Sequence, residues 1–264
     1  MKYFKYLLIG IIQGLTEPLP ISSSAHMVFI NSYLNLEPMS LSFECFVNFA
    51  STLAIFIFFY KDIKILIINT FTKNNSSYLN KEYTYKLIIA SLPVILCGLV
   101  FSNLIDSILL TPFSCSIALI ITGVMLLFGV ILLKNQKLST NELYTPKSYF
   151  TIGLSQAVAL IPGLSRSGLT LITSLSCENN IKSSLKFSFF LYLIASIGAF
   201  VLSLFKIDYN SINISYLLIS CLGAFTATLL SLKWFYNKLG RKMLFFFMLY
   251  SFTMGTVNLI ISLI

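Results

Sequence analysis

Gln13-Gly-Leu-Thr-Glu-Pro-Leu-Pro-Ile-Ser-Ser-Ser-Ala-His26 is a polar island with apolar runs on both sides. It holds a carboxylate (Glu17), two prolines (Pro18, Pro20), three consecutive hydroxyls (Ser22, Ser23, Ser24) and the only histidine of the chain (His26). Around it, hydrophobic residues make up 57% of 264 residues and charged residues 10%, with a mean hydropathy of +0.87. A soluble domain carries roughly 25% charged residues, so this composition is that of an integral membrane protein. Within such a chain, an ionisable cluster inside an apolar segment marks a functional site.

Six apolar segments are long enough to cross the roughly 30 Å hydrocarbon core as helices. They are Phe43–Tyr60, Leu87–Ile105, Phe113–Leu133, Phe187–Phe205, Ile214–Leu232 and Met243–Ile264. Two more are broken at mid-length: Tyr3–Tyr33 by Pro18 to Ser24, and Ser148–Cys177 by Pro162-Gly-Leu-Ser-Arg-Ser-Gly168. Each half of a broken segment is too short to span at about 1.5 Å per residue. They are expected to be re-entrant hairpins with their turns deep in the membrane.

The two interruptions also repeat one another. Gly10-Ile-Ile-Gln13 resembles Gly153-Leu-Ser-Gln156, 143 residues on, and Pro20-Ile-Ser-Ser23 resembles Pro162-Gly-Leu-Ser165, 142 residues on. The fold class expected is therefore all-α: one membrane domain (1–264) of two repeats, 1–133 and 147–264, each a hairpin plus three spans. An odd number of spans inverts the second copy.

The net charge of +9 belongs to this topology and excludes a nucleic-acid partner, because the basic residues are scattered over short connections. With both termini outside, fourteen basic residues fall inside, from Lys61, Lys64 and Lys73 to Lys238, Arg241 and Lys242. Only Lys2, Lys5 and Lys206 remain outside. The first hairpin then enters from the outer face, the second from the inner face, and their tips should meet. Lys2 and Lys5 before an apolar run also resemble a signal peptide, but Gln13, Glu17 and the prolines interrupt it, so a retained segment is expected. The five cysteines show no paired spacing and read as small buried hydrophobes. Gly98, Gly123 and Gly129 are expected to pack helices within the chain or against a second copy, as in a homodimer.

Arg166 is the one basic residue that this topology buries. Its guanidinium is a permanent charge with a fork of donors matched to phosphate oxygens. Gly163 and Gly168 let backbone N–H groups approach an anion, Ser165, Ser167 and Thr170 add hydroxyls, and a helix N-terminus follows. The expectation is a phosphate cradle. At the other tip Gln13 and Glu17, spaced i, i+4, share a helical face and offer oxygens to a divalent cation, Mg2+ or Ca2+. Glu17 could instead be a general base. Ser22, Ser23 or Ser24 could attack or bind phosphate, and His26 could activate a hydroxyl, protonate a leaving group or itself attack. Glu44 is a second carboxylate at the edge of a span.

These motifs, in this order and over essentially the whole chain, resemble the undecaprenyl-pyrophosphate phosphatases, also called the bacitracin-resistance proteins. The resemblance implies a divalent-cation-dependent hydrolase that converts undecaprenyl pyrophosphate to undecaprenyl phosphate for cell-wall synthesis. It acts at the outer face of the bacterial cytoplasmic membrane. It maps Glu17 and Gln13 to metal or acid–base positions, Ser23 and His26 to the catalytic Ser/His pair, and Arg166, Ser165 and Thr170 to the pyrophosphate loop. The chain departs from the family pattern at Gln13 (commonly Glu), Pro18 (an aromatic), Ala25 (Gly) and Asn48 (Gln). The competing class is a transporter or flippase of lipid phosphates, built on inverted repeats and broken helices but without need of a Ser–His pair beside Glu. Lipid phosphatases that use two histidines are excluded by the single His26.

Overall fold

The computed structural model describes residues 2–34, 41–72, 78–135, 146–178, 180–205 and 213–264. Lys73, Lys137 and Lys206, counted in the charge argument, lie outside them. Among the described residues every regular element is a helix: α1 Lys2–Thr16, α2 Ser23–Leu34, α3 Leu41–Phe58, α4 Tyr60–Thr72, α5 Lys81–Leu109, α6 Pro112–Asn135, α7 Pro146–Val158, α8 Arg166–Glu178, α9 Ile181–Leu204, α10 Ile214–Lys238 and α11 Arg241–Leu263. Five of these are long and apolar enough to cross a membrane, within α5, α6, α9, α10 and α11. The chain is a multi-pass membrane protein.

The expected span Phe43–Tyr60 is the 18-residue α3, followed after Phe59 by α4, which occupies part of the stretch read from sequence as a loop. Its lysines disguised it: Lys61 and Lys64 face outward while Leu66 and Asn69 are buried. Asn69 donates to the Leu79 carbonyl (2.8 Å) and so folds the following segment back. Asparagines cap α5, α9 and α10, their side chains accepting from Tyr83, from Lys182 and Ser183, and from Ser215 and Tyr216.

Both expected interruptions are turns between short helices. In the first, Pro18 and Pro20 have no N–H to continue a helix. Glu17 N–H still bonds the Gln13 carbonyl (2.9 Å), and the chain then turns to restart at Ser23. Ser22 sits at φ +63°, a left-handed conformation uncommon for a non-glycine residue. It is held there as the cap of α2, its Oγ accepting from Ala25 N–H (3.4 Å). In the second, Gly163 takes φ +94°, and a Cβ there would lie 2.7 Å from that of Ala118. Ser165 caps α8, its Oγ accepting from Gly168 N–H (3.1 Å).

The turns meet, as expected. Gly163 N–H donates to Ser24 Oγ (3.2 Å) and Ser167 Oγ donates to the Leu19 carbonyl (3.0 Å). From α6, Thr122 Oγ1 accepts from Ser165 N–H (3.1 Å) and fixes the second turn.

The hairpins are anchored by two like contacts. Along α1, a Cβ on Gly10 would lie 2.1 Å from the Ser220 carbonyl of α10. Along α7, a Cβ on Gly153 would lie 2.4 Å from the Ala90 carbonyl of α5. Ser220 and Ser231 of α10 donate to the Tyr6 and Gly14 carbonyls, at 2.7 and 3.0 Å. Gly10→Val should therefore force α1 off α10 and lower Tm by about 10 °C, since overpacked contacts cost about 1–3 kcal/mol or more. A thermal melt in detergent checks this, and a wild-type Tm contradicts it. Gly123 and Gly129 pack within the chain, against Phe252 and Ile172, while a Cβ on Gly98 meets nothing within 4 Å.

One end of the bundle gathers aromatic and basic residues. Phe59 packs with Phe189, Phe190 and Tyr236. Beside them Lys186 of α9 donates to Asp62 (2.9 Å) and Tyr78 (2.7 Å), and Lys86 of α5 lies over the Tyr149 ring of α7.

Candidate active site

Between the meeting turns and the faces of α3 and α9 lies a cavity of about 150 Å³. Gln13, Glu17, Ser22, Ser23, Ser24, Ser165, Arg166 and Ser167 line it, together with Glu44, Asn48 and Tyr192. The two turns thus bring most of the expected polar residues to one space.

Glu17 is the hub of the first turn. Ser23 Oγ donates to its Oε2 at 2.5 Å, and Gln13 Nε2 donates to the same atom at 2.7 Å. The second bond spans i, i+4, as the shared helical face predicts. A buried carboxylate with a hydroxyl in short hydrogen-bond contact has the geometry of a base beside its nucleophile.

Arg166 is the first residue of α8 and reaches across to α9. Nη1 donates to Ser196 Oγ (2.9 Å), and the guanidinium carbon lies 5.1 Å from the Tyr192 ring centre. Tyr192 OH is in turn 3.1 Å from Thr52 Oγ1 of α3. One bond uses one of five guanidinium N–H donors and leaves the rest of the fork for a ligand. The backbone N–H groups of Arg166 and Ser167, in the first turn of α8, add the positive end of the helix dipole.

Four of the expected residues lie outside the cavity lining. The N–H groups of Gly163 and Gly168 do not face an anion: they are taken by Ser24 and Ser165, because turn and cap both need them. Thr170 lies outside the cavity lining; its Oγ1 donates to the Arg166 carbonyl (2.8 Å) and meets Ser188 Oγ of α9. His26 also lies outside the lining. Its Nδ1 is 2.7 Å from the Ser22 carbonyl and its Nε2 2.7 Å from Tyr250 OH of α11. A carbonyl only accepts, so in the neutral ring Nδ1 carries the proton and Nε2 accepts from tyrosine. The ring, stacked on Tyr250, holds the left-handed Ser22 turn that presents Ser23.

Sequence reasoning missed Tyr192, Ser196 and Tyr250. For α9 a signal was present: Ser184, Ser188, Tyr192 and Ser196 recur every fourth residue and are all buried.

The donor set suits a hard divalent cation. Glu17 and Glu44 line the cavity with the amides of Gln13 and Asn48, an all-oxygen set apart from amide nitrogen. Among the described residues no three His, Cys, Asp or Glu side chains gather to hold a metal by themselves. The remaining ligands would therefore be phosphate oxygens or water, as is usual for Mg2+.

The model of the family described as bacitracin resistance protein BacA matches residues 6–257. Undecaprenyl-diphosphatase 1 of Bacillus cereus is 36% identical over 270 residues, covering 97% of this chain and 96% of its own. Undecaprenyl-diphosphatase of Acholeplasma laidlawii is 36% identical over 279 residues, covering 100% and 99%. Undecaprenyl-diphosphatase 1 of Halalkalibacterium halodurans is 35% identical over 268 residues, covering 97% and 94%. With the paired turns, the half-buried Arg166 and a match along nearly its full length, the chain belongs to the bacitracin resistance protein BacA family.

Proposed function

We infer that this chain hydrolyses undecaprenyl pyrophosphate to undecaprenyl phosphate and inorganic phosphate, returning the lipid carrier to peptidoglycan synthesis. The observation that carries the reading is the Ser23–Glu17 contact of 2.5 Å in a cavity that also holds Arg166. A carrier needs an anion cradle but has no use for a hydroxyl held on a buried base.

In the mechanism proposed, Glu17 Oε2 takes the Ser23 proton as Oγ attacks the terminal phosphorus. The anhydride P–O bond breaks, and its electron pair leaves with the prenyl phosphate, which receives the proton back from Glu17. Water then attacks the phosphoserine, giving a proton to Glu17, which returns it to Ser23 as inorganic phosphate departs. Arg166 binds the charge that builds on the phosphate oxygens and sets the phosphorus in line with Ser23. His26 is not the nucleophile in this scheme, since Nε2 is engaged by Tyr250; it holds the turn.

Two carboxylates, Glu17 and Glu44, line the cavity with Arg166, and their charge opposes that of a pyrophosphate. A divalent cation held by Glu17, Glu44, Gln13 and Asn48 would reverse that balance and draw charge from the phosphate oxygens.

The chain is an inverted repeat in the bacterial cytoplasmic membrane, with its site open to the outer face. Support comes from the two turns in contact and from the matching Gly10 and Gly153 anchors. The basic connections also gather at one end, through Lys186 on Asp62 and Lys86 on Tyr149, as a cytoplasmic face requires.

Purified protein with Mg2+ or Ca2+ is expected to release phosphate from undecaprenyl pyrophosphate. Rapid acid quench and peptide mass spectrometry should find a phosphoryl group on Ser23. No release with any divalent cation would return the chain to the carrier class. Release with no phosphoserine from wild type, and undiminished in Ser23→Ala, would leave Glu17 activating water directly.

A further inference from the structure

We propose that Tyr192 and Ser196 of α9 are the positioning residues of Arg166, and that α3 sets their geometry through Thr52 and Asn48. This rests on Arg166 being the pyrophosphate-binding residue.

An arginine side chain has four rotatable bonds, and holding it in one conformation opposes roughly 2 kcal/mol of rotamer entropy. Two contacts on α9, one turn apart, fix Arg166. Ser196 Oγ accepts from Nη1 at 2.9 Å, and the Tyr192 ring lies 5.1 Å from the guanidinium carbon. The first contact aims one arm of the fork, and the second fixes the side from which the charge is approached.

The ring is itself held. Thr52 Oγ1 donates its single proton to the Asn48 carbonyl (3.1 Å), so Tyr192 OH donates to Thr52 (3.1 Å). Asn48 Oδ1 is a longer second acceptor at 3.5 Å. Tyr192 is 3% exposed, so its hydroxyl has these partners rather than bulk water. The line α3–α9–α8 therefore ties the first half of the chain to the arginine of the second half. It also gives the Asn48 departure a location, one contact behind the arginine's support.

The test measures binding of a prenyl methylenebisphosphonate, in which CH2 replaces the bridging oxygen so that inactive variants can still be titrated. Hydrolysis of undecaprenyl pyrophosphate is measured alongside it. Tyr192→Leu should weaken binding and raise KM about tenfold, with a smaller change in kcat. Tyr192→Phe keeps the ring but frees it from Thr52 and Asn48, so it should recover only part of that loss, to about threefold weaker than wild type, and full recovery would remove α3 from the arrangement. Ser196→Ala should weaken binding by about tenfold. In an Arg166→Ala background, Tyr192→Leu should change the remaining affinity by less than about twofold, since residues acting through one another are not additive. A Tyr192→Leu loss that persists in full without Arg166, or that lowers kcat at constant KM as fewer folded molecules would, overturns the proposal. Melting curves of each variant separate lost protein from lost positioning. If wild type and Arg166→Ala bind the analogue equally, the assignment of Arg166 fails instead.

Discussion

Arg166→Ala is expected to lower kcat/KM for undecaprenyl pyrophosphate about a thousandfold, measured as phosphate release in detergent. Among the described residues the side chain is the only cation lining the cavity, which Glu17 and Glu44 also line. Removing it leaves the phosphate charge against two carboxylates with no cation among the described lining residues to offset them. Arg166→Lys restores the charge but not the planar fork, and the shorter head cannot bond Ser196 and clasp phosphate together. It should regain only about a tenth of wild-type rate. Alanine also leaves Ser196 without its donor and bares the Tyr192 ring, so the Tm of the variant has to be followed alongside the rate. An Arg166→Ala protein that melts normally and works within about tenfold of wild type would remove the arginine from the chemistry.

Glu17→Gln should also cost about a thousandfold, and chiefly in kcat. The substitution is nearly isosteric. Its amide oxygen can still accept from Ser23 or Gln13, so the turn keeps its shape and the fold should keep its Tm. What disappears is a site for the Ser23 proton. Ser23→Ala should fall by a similar factor, and the double variant by little more than either alone, because the pair acts as a unit. Multiplying losses would show that Glu17 works apart from Ser23, for instance on the metal alone. Glu44→Gln is the useful contrast: it keeps the Ser23–Glu17 pair while changing the charge at the other wall of the cavity.

The meeting of two broken segments was legible because proline and glycine interrupt apolar runs at matching places in a repeating sequence. The pairing of Gln13 with Glu17 followed from helical spacing, and the place of Arg166 beside that pair from the second interruption, although its side chain is half-buried rather than buried. The direction in which a side chain points was not legible. His26 follows three serines in sequence, yet one turn of α2 rotates it toward Tyr250, which lies 224 residues away. Gly163 and Gly168 have the chemistry of an anion nest, but the demand for capped turns decides where their N–H groups go. Tyr192 and Ser196 were hidden in an apolar run and visible only as part of a four-residue polar stripe. The helix α4 was hidden by lysines that solvate its outer face.

The seat of α1 on α10 imposes an order on synthesis. Tyr6 and Gly14 bond serines 214 and 217 residues downstream. At about 5–20 residues per second of translation, α1 waits at least ten seconds or so for its partner to emerge. Until then its glycine face, and the carboxylate at its end, must be held by lipid, by a neighbouring segment or by a chaperone. The first turn is thus made well before the helix that seats it and is among the last parts to be closed. A nascent chain stalled before α10 should present a hairpin that quality-control proteases can recognise as unfinished.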